Sequence, residues 1–286
     1  MQGRSRSVFG KAMSFPVYLR VGSLAIHPHL LFEAIAYTVG FRVYLKLRRQ
    51  RGDHLPDFDR WWVIAAAAIG AVLGSKLLFL FEDPRWSLQN IPQPGLLFSG
   101  KTIVGALIGG LFAVEFAKRR MGVTTRTGDL FALPLCVGIA IGRIGCFLTG
   151  IEDQTAGAAT TLPWGVNFGD GIRRHPTQIY EIVFLIALAA AILHVSRRPH
   201  ASGDLFKIFM VGYFAFRLAC DFLKPEIRVF AGLSSIQWAC AFMLLYYASD
   251  IVRWARNRVP ASEIAADDDI GRATGASAQV HEGAAR

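Results

Sequence analysis

The chain has 286 residues, of which 53% are hydrophobic, and it carries a formal net charge of +10 at pH 7. Its apolar residues are concentrated in blocks flanked by basic residues, a pattern typical of membrane proteins rather than of one large soluble core. Because the positive charge follows the ends of these blocks, we expect no nucleic acid among the partners. The four cysteines lie inside apolar blocks without CxxC spacing, so we expect small buried hydrophobes and neither a metal ion nor a cofactor.

Seven apolar blocks follow one another along the chain, most of them close to the ~20 residues that cross a ~30 Å hydrocarbon core. Unpaired backbone groups are costly in lipid, so blocks of this length predict helices. The blocks cover His29–Leu45, Trp61–Phe81, Thr102–Ala117, Leu130–Leu148, Gln178–Val195, Leu205–Leu223 and Ala231–Ile251. We therefore predict an all-α fold, that of a polytopic integral membrane protein with about seven transmembrane helices.

The distribution of basic residues predicts how the chain lies in the membrane. Lys and Arg cluster in the connections after the first, third, fifth and seventh blocks, and such connections are usually cytoplasmic. This predicts a multi-pass protein of the bacterial inner membrane with a periplasmic N-terminus and a cytoplasmic C-terminus, although the N-terminal arm is itself basic. Residues 1–28 would form that periplasmic arm, residues 29–253 the seven-helix domain, and residues 260–286, which lack apolar periodicity, a disordered cytoplasmic tail.

Small residues recur at a spacing of four within several blocks, as in the pairs Gly70 and Gly74, and Gly105 and Gly109. Residues four apart share one face of a helix, and small ones let two helices approach closely in lipid. These pairs therefore predict tight contacts between helices.

The fourth block ends in a charged segment, Gly142-Arg143-Ile144-Gly145, with Glu152 a few residues later. A central arginine costs about 2.5–3.5 kcal/mol on insertion scales, so it normally faces the protein interior and has a partner. Arg143 either snorkels to the interface or binds an anion. In the second case the glycines would let a phosphate or a neighbouring helix approach the guanidinium group.

The fifth block begins with His175-Pro176-Thr177-Gln178-Ile179-Tyr180-Glu181. Thr177 is a candidate helix cap, and Gln178 and Glu181 are predicted in the first turn, where acidic residues are favoured. Capping does not account for Gln178, Tyr180 and Glu181 together at the edge of an apolar segment, so this run is a candidate binding segment.

The sixth block carries Tyr213, Arg217 and Asp221 at intervals of four residues, which places all three on one face of a helix. Two interpretations of Arg217 are open. It pairs with Asp221, or it faces the same cavity as Arg143.

These three motifs, in this order, resemble the prolipoprotein diacylglyceryl transferase family, and the resemblance extends over about residues 27–253. It implies an enzyme that moves a diacylglyceryl group from phosphatidylglycerol to the thiol of the lipobox cysteine in a prolipoprotein signal peptide, releasing glycerol phosphate. Both substrates would reach the enzyme through the lipid bilayer. Two arginines would stabilise the charge of the phosphate leaving group.

The resemblance also implies roles for individual residues. The implied catalytic residues are Arg143, Glu152, His175, Tyr213 and Arg217. The implied substrate-binding residues are Gly142, Gly145, Gln178, Tyr180 and Glu181.

The chain departs from the family pattern where thiol activation is concerned. Val104 replaces a histidine, Cys146 replaces an asparagine, and the family's Asn-x-Glu is out of register in Thr149-Gly150-Ile151-Glu152. A proton acceptor is therefore missing, or it is supplied by Glu152, His175 or Glu181. Two alternatives stay open: a divergent or inactive family member with another lipid acceptor, and an anion or lipid transporter that uses intramembrane arginines.

Overall fold

The computed structural model describes residues 15–256, apart from residues 23, 54 and 91–99. The predicted tail, residues 260–286, and the first fourteen residues of the predicted arm lie outside the described part. Within it the helices are α1 (Pro28–Arg51), α2 (Asp57–Leu80), α3 (Pro84–Asn90), α4 (Ile103–Met121), α5 (Asp129–Thr149), α6 (Thr177–Val195), α7 (Asp204–Cys220), α8 (Ser235–Tyr246) and α9 (Ala248–Ala255). Two antiparallel hairpins pair β1 (Leu19–Val21) with β2 (Leu24–Ile26), and β3 (Val166–Asn167) with β4 (Arg173–Arg174).

The helical framework predicted from the apolar blocks is confirmed. The first six blocks fall on α1, α2, α4, α5, α6 and α7, and the seventh falls on α8 and α9. The short helix α3 and the two hairpins were not predicted, because elements of this length carry no apolar periodicity of their own. Among the described helices, three segments are long and apolar enough to cross a membrane: Asp57–Leu80, Asp129–Asp153 and Thr177–Val195. The count of about seven spans stays a prediction.

The glycine pairs of α2 and α4 pack directly against each other, as their spacing predicted. A Cβ atom built on Gly74 would lie 2.3 Å from the carbonyl oxygen of Gly105, and one on Gly70 would lie 2.4 Å from that of Gly109. Both distances are far below van der Waals contact. Any larger side chain would therefore force the two helices apart.

The helix α5 lies at the centre of the bundle and packs against α1, α6 and α7. The buried core extends from α5 into α6, α7 and α8, with Phe209, Met210, Phe214 and Met243 fully enclosed. This arrangement brings the C-terminal turns of α5 and α7 beside the N-terminal turns of α6. The charged motifs of the sequence lie at this end of the bundle.

Candidate active site

A buried carboxylate, that of Glu181 in α6, joins the three motifs. Arg143 Nε of α5 lies 2.9 Å from Glu181 Oε2, and Arg217 Nη1 of α7 lies 3.4 Å from the same oxygen. The Tyr213 hydroxyl donates a 2.6 Å hydrogen bond to the other oxygen, Oε1. All four side chains are more than nine-tenths buried. We call these residues, Arg143, Glu181, Tyr213 and Arg217, the arginine cluster.

The two arginines therefore converge, as predicted for a shared site. Because both contact one carboxylate oxygen, their guanidinium groups lie well inside the ~12 Å that one head group can bridge. Arg217 also donates to Asp221 Oδ1 at 3.0 Å, so the pairing with Asp221 and the convergence with Arg143 both occur. The shared face is confirmed: Tyr213 and Arg217 are buried on α7, and Asp221, the first residue of the 3-10 turn that follows, is buried in contact with Arg217.

The arginine cluster retains donors that its carboxylates do not use. Among the described residues, Arg217 Nε is buried without a hydrogen-bond partner. Arg143 Nε is close to Glu181, but its N–H is not aligned for a hydrogen bond with any described group. Orphaned buried donors are rare in proteins because they cost free energy. An additional anionic or polar acceptor would satisfy these two Nε donors.

A further buried cation adds to the positive field of the arginine cluster. Lys224 follows α7, is 8% exposed, and has Nζ 4.0 Å from Glu226 Oε1. Burial, followed by the charges of Arg217 and Arg143, lowers the pKa of Lys224 to about 8. The lowered pKa of Lys224 reflects its burial first and the neighbouring positive charge of the two arginines second.

The start of α6 differs in detail from the prediction. Thr177 does not cap the helix: its hydroxyl donates to the carbonyl oxygen of Thr155 at 2.6 Å. Gln178 Nε2 donates to the Thr155 hydroxyl at 3.0 Å, while Gln178 Oε1 is buried without a partner among the described groups. Glu181 lies just beyond the first turn, not within it. The loop preceding α6 supplies these bonds, which local sequence cannot reveal.

Tyr180 and His175 form a separate contact at the same end of the bundle. The Tyr180 hydroxyl accepts a 2.8 Å hydrogen bond from Trp164 Nε1 and lies 3.3 Å from His175 Nδ1. Both residues are partly exposed. The assignment of His175 as a proton carrier stays a prediction.

The two glycines beside Arg143 have different environments. A Cβ atom on Gly142 would meet no described atom within 4 Å, so no neighbouring helix requires a glycine at this position. A Cβ atom on Gly145 would lie 2.7 Å from Phe32 Cβ and 3.4 Å from His29 Cα, so this glycine serves the close approach of α1. Of the two roles that the sequence allowed, Gly145 takes the neighbouring helix.

Glu152 is exposed on the 3-10 turn Gly150–Asp153, while its neighbour Asp153 points inward. Asp153 Oδ1 lies 2.6 Å from His29 Nδ1. No sequence motif indicated a role for His29. Cys146 lies beside them, with Sγ 3.8 Å from Arg143 Nη1. Val104, where the family resemblance implied a histidine, is 1% exposed and packs in the apolar core. It offers no acid–base group.

The apolar helices and this buried site define a helical membrane protein with an arginine-rich centre. Residues 16–252 match the sequence profile of the family described as prolipoprotein diacylglyceryl transferase. The chain therefore belongs to the prolipoprotein diacylglyceryl transferase family.

Individual relatives agree over most of the chain. It is 34% identical to the phosphatidylglycerol–prolipoprotein diacylglyceryl transferase of Bordetella parapertussis over 247 residues, which are 80% of this chain and 91% of that protein. It is 31% identical to the protein of the same name from Methylobacillus flagellatus, over 80% of this chain and 92% of the relative. For the one from Nitrosomonas europaea the values are 30%, 82% and 89%.

Proposed function

We propose that this protein transfers a diacylglyceryl group from phosphatidylglycerol to the thiol of the lipobox cysteine in prolipoproteins. The names of its relatives describe this activity for them. The observation that carries the proposal is the convergence of Arg143 and Arg217 on one carboxylate oxygen with buried donors left over. A phosphodiester is the acceptor that such a pair of planar donors suits.

The arginine cluster suits the charge that develops in this reaction. The S–C bond forms between the acceptor sulfur and the glyceryl carbon while the C–O bond to phosphate breaks. The electron pair of that bond leaves with glycerol phosphate, and the thiol proton is lost to solvent or to the leaving phosphate. Arg143 and Arg217 donate to the phosphate oxygens as their negative charge grows.

Glu181 and Tyr213 act as positioning residues for the two arginines. The Glu181 carboxylate contacts both guanidinium groups, and the Tyr213 hydroxyl holds that carboxylate in place. A phosphate that enters beside Gly142, where a Cβ atom would meet no described atom within 4 Å, would find donors already oriented toward it. Gln178 and Tyr180 line the start of α6 and are proposed to bind substrate there, with Glu152 and His175 as candidate proton carriers.

We further propose that the protein spans the inner membrane about seven times, with the N-terminus in the periplasm and the C-terminus in the cytoplasm. The supporting observation is the concentration of Lys and Arg in alternate connections. A reporter enzyme that is active only in the periplasm, fused after Arg258, is expected to be silent. An active fusion would overturn this orientation.

Complementation of a strain depleted of its own transferase tests the activity. The wild-type chain is expected to restore growth and lipoprotein modification, and Arg143→Ala is expected to fail at equal membrane abundance. The matched control is Arg119→Ala, because Arg119 is an exposed arginine in the last turn of α4, outside the arginine cluster. The proposal fails if the purified wild-type protein, given phosphatidylglycerol vesicles and a lipobox peptide, modifies no thiol. Movement of glycerol phosphate across the vesicle membrane without modification would identify a transporter.

A further inference from the structure

A compact group of metal-ligating side chains lies beside the arginine cluster. His29 comes from the first turn of α1, Cys146 from the last turn of α5, and Asp153 from the 3-10 turn that follows. Their candidate ligand atoms all lie within 4.8 Å of one another. We call these residues, His29, Cys146 and Asp153, the ligand triad.

Helix packing builds the ligand triad. Gly145 has no side chain, so the start of α1 rests against α5, with Pro28 O and His29 Cα within 3.4 Å of the position that a Cβ would take. This contact delivers the His29 ring to the residue after Gly145, which is Cys146. The turn beginning at Gly150 then returns Asp153 to the same place. The close packing of three backbone segments therefore brings the ligand triad together, and no local sequence motif predicts it.

The geometry of His29 and Asp153 points to a third participant. His29 Nδ1 is buried and lies 2.6 Å from Asp153 Oδ1, the distance of an ion pair, although this contact does not have the geometry of an aligned hydrogen bond, and Nδ1 has no other aligned partner among the described groups. Two ligands of one cation direct their lone pairs at the ion rather than at each other. Ligand atoms around a tetrahedral Zn²⁺ lie about 3.3–3.6 Å apart, given bonds of ~2.0–2.3 Å. At 2.6 Å, the His29 and Asp153 atoms lie closer together than this, so metal binding would have to move them apart by side-chain rotation.

Outer groups already orient the ligand triad. The second oxygen of Asp153 accepts a 2.7 Å hydrogen bond from the Thr155 hydroxyl, which in turn accepts one from Gln178. His29 Nε2 lies 3.8 Å from Glu33 Oε2, so a carboxylate faces the ring nitrogen opposite the ion. A carboxylate behind a ligating histidine and a hydrogen bond to a ligating carboxylate are the usual outer shell of a metal ion.

We propose that His29, Cys146 and Asp153 bind a Zn²⁺ ion that holds the acceptor thiol as its fourth ligand. Nitrogen, sulfur and carboxylate donors together suit Zn²⁺, and three protein ligands with one open position are typical of catalytic zinc. The Cys146 thiolate and the Asp153 carboxylate offset the charge of the ion, so the site is neutral before the acceptor binds and carries one negative charge beside Arg143 once the acceptor thiolate is the fourth ligand. The sequence expectation of no metal followed from the missing CxxC spacing, which does not detect ligands from three separate elements.

This inference rests on the proposed transferase function and supplies its missing thiol activation. A thiol that binds Zn²⁺ would release its proton to solvent and become a thiolate. That thiolate would lie one guanidinium group from the phosphate, because Arg143 contacts both Cys146 Sγ and the Glu181 carboxylate. The thiolate sulfur then bonds to the glyceryl carbon, the C–O bond breaks, and glycerol phosphate leaves with the electron pair. The two departures from the family pattern, at Val104 and at Cys146, would then have one explanation, which is a different means of activating the acceptor thiol.

Metal content of the full-length protein purified in detergent is the first test. After incubation with Zn²⁺ and removal of excess, the wild-type chain is expected to retain about one zinc per chain, as in other three-ligand sites. Cys146→Ala and Asp153→Asn are expected to lose at least tenfold in zinc affinity. Cys136→Ala is the matched control, because Cys136 is a buried cysteine of the apolar core outside the triad. Monodisperse elution and thermal unfolding verify that each variant is folded.

Substitution of Co²⁺ for Zn²⁺ reports which atoms bind. The wild-type chain is expected to show a sulfur-to-cobalt charge-transfer band and the intense visible bands of a four-coordinate ion, and Cys146→Ala is expected to lose the former. A lipobox peptide with a free thiol should intensify the charge-transfer band, and the same peptide with serine should not. A wild-type chain that binds no more metal than Cys146→Ala overturns the proposal, as does a spectrum unaffected by the thiol peptide.

Transfer assays separate this proposal from the proposed function. Removal of zinc by a chelator is expected to lower the transfer rate at least tenfold, with recovery on adding Zn²⁺. If the metal-free protein modifies the peptide at the full rate, the zinc proposal fails and the transferase stands. If the chain binds zinc and thiol as described but transfers no lipid, the transferase assignment fails and the metal site stands.

Discussion

Two pairs of arginines, at opposite ends of the bundle, each share one carboxylate. They differ in how many of their N–H donors have a hydrogen-bond partner. Near the C-terminus of α1, Arg48 and Arg60 both bind Asp53. There Arg60 Nε and Nη2 contact the Asp53 carboxylate and Nη1 donates to the Thr127 carbonyl, so every nitrogen of Arg60 has a partner. In the arginine cluster, Arg143 and Arg217 share Glu181, yet the Nε of each has no aligned acceptor among the described groups.

The number of unpaired arginine donors distinguishes a structural ion cluster from a binding site. Around Asp53, burial raises the carboxyl pKa, but the hydrogen bonds and charge of Arg60 and Arg48 outweigh it and hold the pKa of Asp53 below its usual value. The ionised Asp53 carboxylate pairs with both arginines. We call Arg48, Asp53 and Arg60 the closed cluster, and we call the arginine cluster, which keeps unpaired donors, the open cluster. The donors left open around Glu181 would be a cost without a ligand, because unpaired buried donors destabilise the fold. An anion that completes the arginine cluster removes that cost.

The largest effect is expected when the guanidinium group of either arginine in the open cluster is replaced. Arg143→Lys and Arg217→Lys keep the positive charge but lose the paired planar donors. We expect the transfer rate to fall about 10²–10³-fold, the range for loss of one transition-state donor. Initial rates with phosphatidylglycerol vesicles and a lipobox peptide measure it. Arg48→Lys, at the closed cluster, is the control and should keep its rate; a wild-type rate for Arg217→Lys would contradict the role of the cluster.

The closed cluster should show the opposite phenotype. Arg60→Ala leaves the carboxylate of Asp53 with fewer partners at a site where Arg60 is 2% exposed. Breaking a buried pair costs about 3–5 kcal/mol, so the free energy of unfolding should fall by that order. The transfer rate per folded molecule should not change. Denaturation in detergent with an activity assay on the folded fraction checks both; a rate loss that exceeds the loss of folded protein would refute the contrast.

A smaller effect is expected from the hydroxyl that holds Glu181. Tyr213→Phe removes a 2.6 Å hydrogen bond to a buried carboxylate. Such a bond to a charged group contributes about 1.5–3 kcal/mol, and we expect about a tenfold lower kcat with little change in KM. Tyr44→Phe is a matched control, since the Tyr44 hydroxyl is buried without a hydrogen-bond partner in the described structure. Equal rates for the two variants would show that Tyr213 does not position the cluster.

The smallest effect concerns pH at the rim of the open cluster. Glu82 follows α2 and lines a cleft of about 590 Å³ together with Glu226. Burial, then the charge of Glu226, raises the pKa of Glu82 to about 7. Because the folded state holds this proton more tightly than the unfolded state, stability falls as pH rises from about 4.5 to about 7.

Replacing this carboxyl should therefore stabilise the protein only at higher pH. Glu82→Gln should raise Tm at pH 8 and should match the wild type near pH 4.5, where both side chains are neutral in the folded state. Thermal unfolding at several pH values measures the difference. Asp53 has the opposite sign, since its lowered pKa contributes stability that is lost on acidification. An equal Tm difference at both pH values for Glu82→Gln would contradict the raised pKa.

The helices and most of the arginine cluster are predictable from the sequence, because both follow from local periodicity and from the cost of charge in an apolar segment. The spacing of Tyr213, Arg217 and Asp221 required a common helix face, and that face is buried as expected. Arg143 stood out since an arginine in an apolar block needs a partner. The motif at the start of α6 contained that partner, Glu181, although periodicity did not indicate its place between the two arginines.

The residues that complete the site depend on how the helices pack, which local sequence does not reveal. Thr177 bonds to Thr155 instead of capping its own helix, and Asp153, not its neighbour Glu152, faces inward. His29 meets Cys146 because the missing side chain of Gly145 lets α1 rest against α5. Local sequence reports which residues share a helix face, whereas the depth at which two helices cross depends on side-chain volumes along both. That crossing determines which distant side chains come within bonding distance.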